Sequence, residues 1–224
     1  MVTKKRAIDE TQKQKRRGDI LEAAMQLFKE NAYEAVNMAT VARQADLAKG
    51  TLYLYFKTKE ELFLALLSQF FREWFRALNR GLKRFILAKK PCGVDELATL
   101  IGRTFQNRTE FRRLIMILHT VLENNIDQAT ALDFKQMLYE RISYTGHLME
   151  ECLPFLKFGD GVLLLFRIHA LVIGYQQLSS PAPIIQHIIE DYGMDSFNIE
   201  FNEHFLGALK DMLLGFQARN TNQK

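Results

Sequence analysis

Asn37 to Lys59 reads NMATVARQADLAKGTLYLYFKTK, and its interpretation governs the rest of the chain. Val41, Ala42 and Ala45 make a short apolar set, Asp46-Leu47-Ala48 a tight turn, and a second helix from near Lys49 carries Thr51, Tyr53 and Tyr55. The first helix starts after Asn37, whose amide oxygen can accept from free backbone N–H groups. In the second, Leu52 and Phe56 are the inward anchors. A core helix does not normally place two tyrosines, a threonine and a lysine in one compact patch. A helix lying in a DNA major groove does, because hydroxyls and cations reach phosphates and base edges there.

Working outward, Ile20, Ala24, Leu27 and Phe28 form one apolar stripe of a helix expected from Gly18 to Asn31. Downstream, Leu62, Leu66, Phe70, Trp74, Leu78 and Leu82 recur every fourth residue, which predicts a long helix from about Glu60 to Phe85. Ahead of both lies a basic leader with Lys4, Lys5, Arg6, Lys13, Lys15, Arg16 and Arg17. It reads as a partly disordered arm, residues 1–16, that tracks a DNA backbone.

Together these residues resemble the helix-turn-helix of the TetR family of transcriptional regulators. The similarity runs from about Arg17 to about Trp74 and rests on ILEAAMQLF (Ile20–Phe28), Tyr33, GTLYLYF (Gly50–Phe56) and KTKEELF (Lys57–Phe63). It implies an all-α chain: an N-terminal three-helix head over 17–63 with its helix-turn-helix at about 37–56, a long connecting fourth helix, and a helical effector-binding and dimerisation body over 64–224. It implies DNA contact by Arg17, Asn37, Lys49, Gly50, Thr51, Tyr53, Tyr55 and Lys59. Lys49 and Thr51 would stand nearest the base edges, the tyrosine hydroxyls and Lys59 on phosphates. The family usually has glycine where Ala32 stands, so Asn31 is expected to take the left-handed conformation instead. A serine cap is replaced by Ala48, at a cost of about 1 kcal/mol.

Charge is unevenly placed. Residues 1–85 carry 17 Lys and Arg against 10 Asp and Glu, and residues 86–224 carry 13 against 16. A basic front half suits a polyanionic partner. Two cysteines, Cys92 and Cys152, make no disulfide framework and read as free thiols in a reducing cytosol. No secretory signal pattern is visible, and the most apolar run, Val162–Tyr175, is too short and too polar to span a bilayer, so a cytoplasmic protein without a membrane partner is expected.

Beyond Lys89-Lys90-Pro91-Cys92-Gly93, a loop, helices are expected over Asp95–Asn107, Arg112–Asn125, Ala129–Cys152, Asp160–Leu178 and about Ile184–Tyr192. The Asp160–Leu178 helix is apolar on nearly every side, and Phe201, Phe205, Leu209, Met212, Leu213 and Phe216 make another stripe. The resemblance assigns these two C-terminal helices, with Phe166 and Leu171, to a homodimer interface; burial within one subunit is the other reading. A two-fold dimer would read a palindromic operator with half-sites about one helical turn, ~34 Å, apart.

The resemblance also implies a small-molecule effector in the body, a hydrophobic one if the many Phe, Leu and Met residues line its site. Polar residues on apolar helices are its candidate contacts: His119, Tyr144, His147, Arg167, His169, Tyr175 and Gln176. No Gly-rich phosphate loop, zinc ligand set, nucleophile elbow or Glu-x-x-His pair is present. No enzyme, cofactor or metal is therefore expected. Two readings stay open: a repressor released by its effector, and a DNA-binding protein without effector that acts architecturally or through protein partners.

Overall fold

The computed structural model describes residues 2–89 and 92–221, with side chains between Thr11 and Asn220. Among the described residues ten α-helices follow one another: α1 Val2–Glu30, α2 Met38–Gln44, α3 Lys49–Tyr53, α4 Lys59–Leu87, α5 Val94–Phe105, α6 Thr109–Ile117, α7 Gln128–Cys152, α8 Asp160–Leu178, α9 Pro183–Asp191 and α10 Phe201–Thr221. No strand occurs among the described residues, so the all-α expectation holds.

Two compact units divide the chain. One comprises residues 1–69 and 117–134; the other comprises 70–116 and 135–224. The chain thus passes between them within α4, at the end of α6 and within α7.

The first unit is the three-helix head with the start of α4, together with residues 117–134. Ile20, Ala24 and Phe28 of α1, Val41 of α2, Leu52 of α3 and Leu62 and Phe63 of α4 are fully buried. Phe63 meets Phe28 and Tyr33 edge-on at 5.4 and 5.1 Å. The backbone of α1 is helical from Val2, well ahead of the Gly18 expected. Residues 2–17 contain neither Gly nor Pro, and Lys, Arg, Glu and Gln all favour helix. The side chains of Lys4, Lys5 and Arg6 lie outside the described residues.

Asn31 does not adopt the left-handed backbone expected of it. Its side chain donates to Leu27 O at 2.8 Å, and the chain leaves α1 through an extended Ala32 and a 3-10 turn, Tyr33–Ala35. The expected single helix Arg112–Asn125 is also revised. It is α6 followed by a π-helical turn, Leu118–Leu122. The wider turn, closed by Glu123 N donating to Leu118 O, keeps both Leu118 and Leu122 buried.

The second unit is the body. Trp74, Phe75, Phe105, Phe111 and Phe205 form a connected aromatic cluster, and Trp74 Nε1 donates to Thr104 Oγ1 at 2.8 Å. The α7 and α8 backbones touch at a glycine pair. A Cβ on Gly161 would stand 2.1 Å from Gly146 O, so only glycine fits there. Among the described residues α8 is the one helix long and apolar enough to cross a membrane by length and composition, longer than the run weighed in the sequence. Its Leu164, Leu165, Ile168 and Val172 are buried within the body, as in any helix packed on protein.

Candidate nucleic-acid interface

Local chemistry builds the motif. Asn37 Oδ1 accepts from Ala39 N and Thr40 N at 3.1 and 3.0 Å, and Thr40 Oγ1 returns an acceptor to Asn37 N, a complete capping box. The α2 helix closes with Asp46 in the left-handed region, φ 55°. Leu47 N donates to Ala42 O and Asp46 N to Arg43 O, the paired bonds of a Schellman turn. That turn redirects the chain into α3, which starts after Ala48 with no side-chain cap, as expected. Leu52 and Phe56 are buried, and this sets what α3 shows outward.

Outward stand Lys49, Gly50, Tyr53 and Leu54, with Thr51 and Tyr55 half-buried. The Lys49 ammonium lies 5.9 Å from the Tyr53 ring centroid. Tyr53 is 41% exposed and Leu54 81%. A Cβ on Gly50 would meet nothing within 4 Å, so the head's own packing does not demand glycine there. Arg17 is half-buried, its guanidinium 4.8 Å from the Phe56 ring centroid. Asn37 spends its oxygen on the cap and is otherwise exposed.

Lys59 is placed differently from expectation. Its Nζ donates to Tyr33 O and sits 3.8 Å from the Tyr33 ring centroid. Burial pushes its ammonium below the usual lysine range. A lysine held inward in this way is poorly placed to reach a phosphate. Leu54 was the omission on this face. Its signal was available: with Leu52 and Phe56 inward one turn apart, Leu54, midway between them, projects away from the core.

Residues 20–66 match the family described as "Bacterial regulatory proteins, tetR family". Residues 68–220 match "Tetracyclin repressor-like, C-terminal domain". The chain belongs to the TetR family. A fatty acid metabolism regulator protein of Bacillus subtilis is 31% identical over 94 residues, covering 42% of this chain and 46% of that protein. An HTH-type transcriptional repressor, KstR, of Rhodococcus jostii is 46% identical over 66 residues, covering 30% of each. The chain thus spans less than half the length of these relatives. Among solved structures, the TetR family repressor AlkX of Dietzia superposes with a TM-score of 0.54 at 16% identity, over 90% of this chain and 95% of that one. At that identity the likeness shows the fold.

The other candidate residues divide between the two units: His119 belongs to the first, and the rest belong to the body. His119, on the π-helical turn, is exposed and 3.1 Å from Glu123 Oε2. Tyr144 is exposed with the Lys83 ammonium 5.4 Å from its ring centroid, and His147 is exposed on the same helix. Arg167 lies over the Phe216 ring at 4.7 Å. His169 is half-buried, and Tyr175 faces His204 with ring centroids 6.3 Å apart. None of these six lines a cleft of about 350 Å³ that the body forms from Thr109, Arg112, Gln176, Ser179, Ser180, Asn198, Ile199, Glu200 and Phe201. Gln176, the seventh candidate, does line it. Arg112 went unnoticed because the sequence reading made it the first residue of a helix, where an arginine is usually solvated. The helix starts at Thr109 and buries Arg112.

The expected dimer residues also separate. Phe201, Phe205, Leu209, Leu213 and Phe216 are buried within the single chain, and Met212 and Leu171 are half-buried. For that α10 stripe burial within one subunit is the reading that fits, because α10 turns it onto α5 and α8. Phe166 is 57% exposed, alongside Leu163 and Leu178 on α8 and Leu214 on α10. Gly174, Gly207 and Gly215 have open space where a Cβ would be. Cys92 and Cys152 are buried free thiols. Burial pushes them up to about 12 and about 11, which disfavours the reactive thiolate.

Proposed function

We propose that the protein is a homodimeric transcriptional repressor that reads a palindromic operator and leaves it when a small effector occupies the body. The observation that carries this reading is the outer face of α3 and its C-cap, where Lys49, Gly50, Tyr53 and the capping Leu54 stand exposed while Leu52 is fully buried. Cation and hydroxyl serve phosphates and base edges, and Leu54 offers an apolar contact for a thymine methyl. Arg17, Asn37, Thr51 and Tyr55 would flank that contact on the backbone side. The regulators and repressors among the relatives support the same class.

Homodimerisation rests on the outer faces of α8 and α10, where Leu163, Phe166, Leu178 and Leu214 are exposed beside glycines with open space. Small residues let two helix backbones approach closely, and an exposed apolar surface of this kind marks an interface. Effector binding would release DNA only if the ligand prefers the form of the dimer whose heads no longer match the half-sites.

The test is selection from random duplex DNA with purified protein at a stated salt concentration. Enrichment of a palindrome is expected. Recovery of sequence-blind, salt-sensitive binding alone would favour an architectural role instead. Folded, ligand-stripped protein that binds no DNA would overturn the reading.

A further inference from the structure

The body holds a buried arginine that makes no salt bridge to a carboxylate among the described residues. Arg112, on the first turn of α6, is only 8% exposed. Its Nε donates to Gln176 Oε1 at 2.7 Å, its Nη1 to Phe105 O at 2.6 Å and its Nη2 to Thr109 Oγ1 at 3.3 Å. Its guanidinium lies 4.2 Å from the Phe201 ring centroid. All these partners are neutral. Glu200 and Glu110 are near enough to favour its charge, yet burial dominates and holds the group below the usual arginine range.

The nearer carboxylate is otherwise engaged. Glu200 Oε2 accepts from Glu203 N at 2.8 Å and Oε1 from Asn202 Nδ2 at 3.1 Å, at the start of α10. One turn before Arg112, Arg108 has a buried Nη1 with no hydrogen-bond partner among the described residues. Buried charges in proteins are normally paired. Arg112 is hydrogen-bonded only to neutral groups among the described residues, and it lines the cleft of about 350 Å³ described above.

We propose that this cleft binds a small molecule through a carboxylate monoanion seated on Arg112. A guanidinium has five N–H donors in a planar fork that matches a carboxylate. Three donors are engaged within the protein, leaving one on each Nη. The cleft also presents the hydroxyls of Thr109, Ser179 and Ser180 and the amide of Asn198, which suit a ligand with further polar groups. Glu200 shares the lining and disfavours a dianion. The volume fits a small ligand, since sites for such molecules run from about 300 Å³ upward. If the effector reading above holds, this is where the effector sits, and its class is an acid rather than the purely apolar compound expected from composition.

The test is isothermal titration calorimetry of the purified, ligand-free protein with hexanoate, lactate and 4-hydroxybenzoate, each beside its neutral amide, and with inorganic phosphate. At least one carboxylate is expected to bind, its amide and phosphate at least about tenfold more weakly, as loss of a charge-assisted fork implies. Arg112→Gln is expected to abolish that binding. Should this variant unfold, Glu200→Gln decides: it keeps the cap on α10, removes the opposing charge, and is expected to tighten binding several-fold. No binding of any carboxylate, equal binding of acid and amide, equal binding of phosphate, or an unchanged affinity in Glu200→Gln overturns the proposal. Operator affinity is measured separately. Carboxylate binding without operator release upholds the site and defeats the effector reading; operator recognition without carboxylate binding does the reverse.

Discussion

Lys57 Nζ lies 2.7 Å from Asp127 Oδ2, across 70 residues of sequence. The contact ties the turn between α3 and α4 to the loop that follows the π-helical turn, both within the head unit. Thr58 Oγ1 donates to Asn125 O at 2.9 Å, and Asn125 Nδ2 to Glu60 Oε2 at 3.0 Å, beside it. Asp127 also caps α7, accepting from Thr130 N at 2.8 Å. The hydrogen bond from Lys57, then those from Thr130, hold the Asp127 carboxyl well below the usual carboxylate range. Asp127→Asn keeps the cap and deletes the charge. It is expected to lower Tm modestly in dilute buffer and less at high salt, since exposed pairs are screened. The sign with pH follows from the depressed value. The stabilisation is present above the ordinary carboxylate pKa, about 3.9, and is lost as pH falls through the folded value. Thermal unfolding curves of the two proteins should therefore run parallel from pH 7 to about 5 and begin to converge below about 4. A gap that stays constant down to acid unfolding would mean the pair contributes nothing.

Asp46 carries a left-handed φ of 55° in the turn of the helix-turn-helix. A non-glycine residue there costs about 1–2 kcal/mol in steric strain, less for Asp than for most. Asp46→Gly relieves that strain but frees the unfolded chain, so a net change within about 1 kcal/mol is expected. Asp46→Val, β-branched in the same turn, is expected to lose at least about 1 kcal/mol more than glycine does. Chemical denaturation of the three proteins measures it, and equal midpoints for Val and Gly would place the turn outside the cooperative fold.

Gly161 meets Gly146 where α7 crosses α8, with a Cβ at Gly161 falling 2.1 Å from a backbone oxygen. Backbone cannot swing aside as a flexible side chain can. Gly161→Ala is expected to destabilise by about 1–3 kcal/mol or more, the cost of overpacking. Gly174→Ala, with open space at its Cβ, serves as the control on the same helix; it should be neutral or slightly stabilising in the folded monomer. Comparable losses for both would show that helix propensity, not the crossing, decides.

What was legible in the sequence follows the range of the physics. The Asn37 cap, the bare Ala48 start and the inward Leu52 and Phe56 depend on neighbours within one turn, and all were readable. A left-handed Asn31 is expected because the family's usual glycine is Ala32 here and asparagine tolerates that backbone, yet the Asn31 side chain bonds to Leu27 O and the helix ends without it. Asp46 took that conformation instead, for a turn whose bonds reach back to Ala42. Lys59 and Arg112 depend on groups far along the chain, Tyr33 for one and Gln176 for the other; neither partner can be read from a local pattern. Periodicity likewise marked the α10 stripe as buried without saying by what.

Tyr53, the last residue of α3, is 41% exposed, and Leu54, which follows it, is 81% exposed. Tyr53→Ala and Leu54→Ala are therefore expected to leave Tm within about 0.5 kcal/mol equivalent of the parent, as for other surface changes. Operator affinity should fall with Tyr53→Ala across all sequences if the hydroxyl serves phosphate, whereas Leu54→Ala should relax preference at one base pair, by about 1–3 kcal/mol, if it reads a methyl. Fluorescence anisotropy on the selected operator and its single-base variants separates the two. A Tyr53→Ala protein that loses stability instead would assign the ring to the head's own packing.

The two readings of the C-terminal helices part at Phe166 and Leu213. Phe166 is 57% exposed and Leu213 fully buried, so a charge at each does different harm. Leu213→Asp places an unpaired carboxylate in the body core and is expected to unfold the body, with loss of helical circular dichroism. Phe166→Asp changes a side chain that is mostly exposed and is expected to leave the fold of the single chain intact. If the outer face of α8 is the dimer seam, the same substitution sets two like charges against each other near the two-fold axis and opens the seam. Sedimentation velocity is then expected to show a folded monomer for Phe166→Asp where the parent is a dimer. That monomer should bind the palindrome weakly, since one head per molecule cannot engage both half-sites at once. A Phe166→Asp protein that remains dimeric would move the seam away from this face of α8.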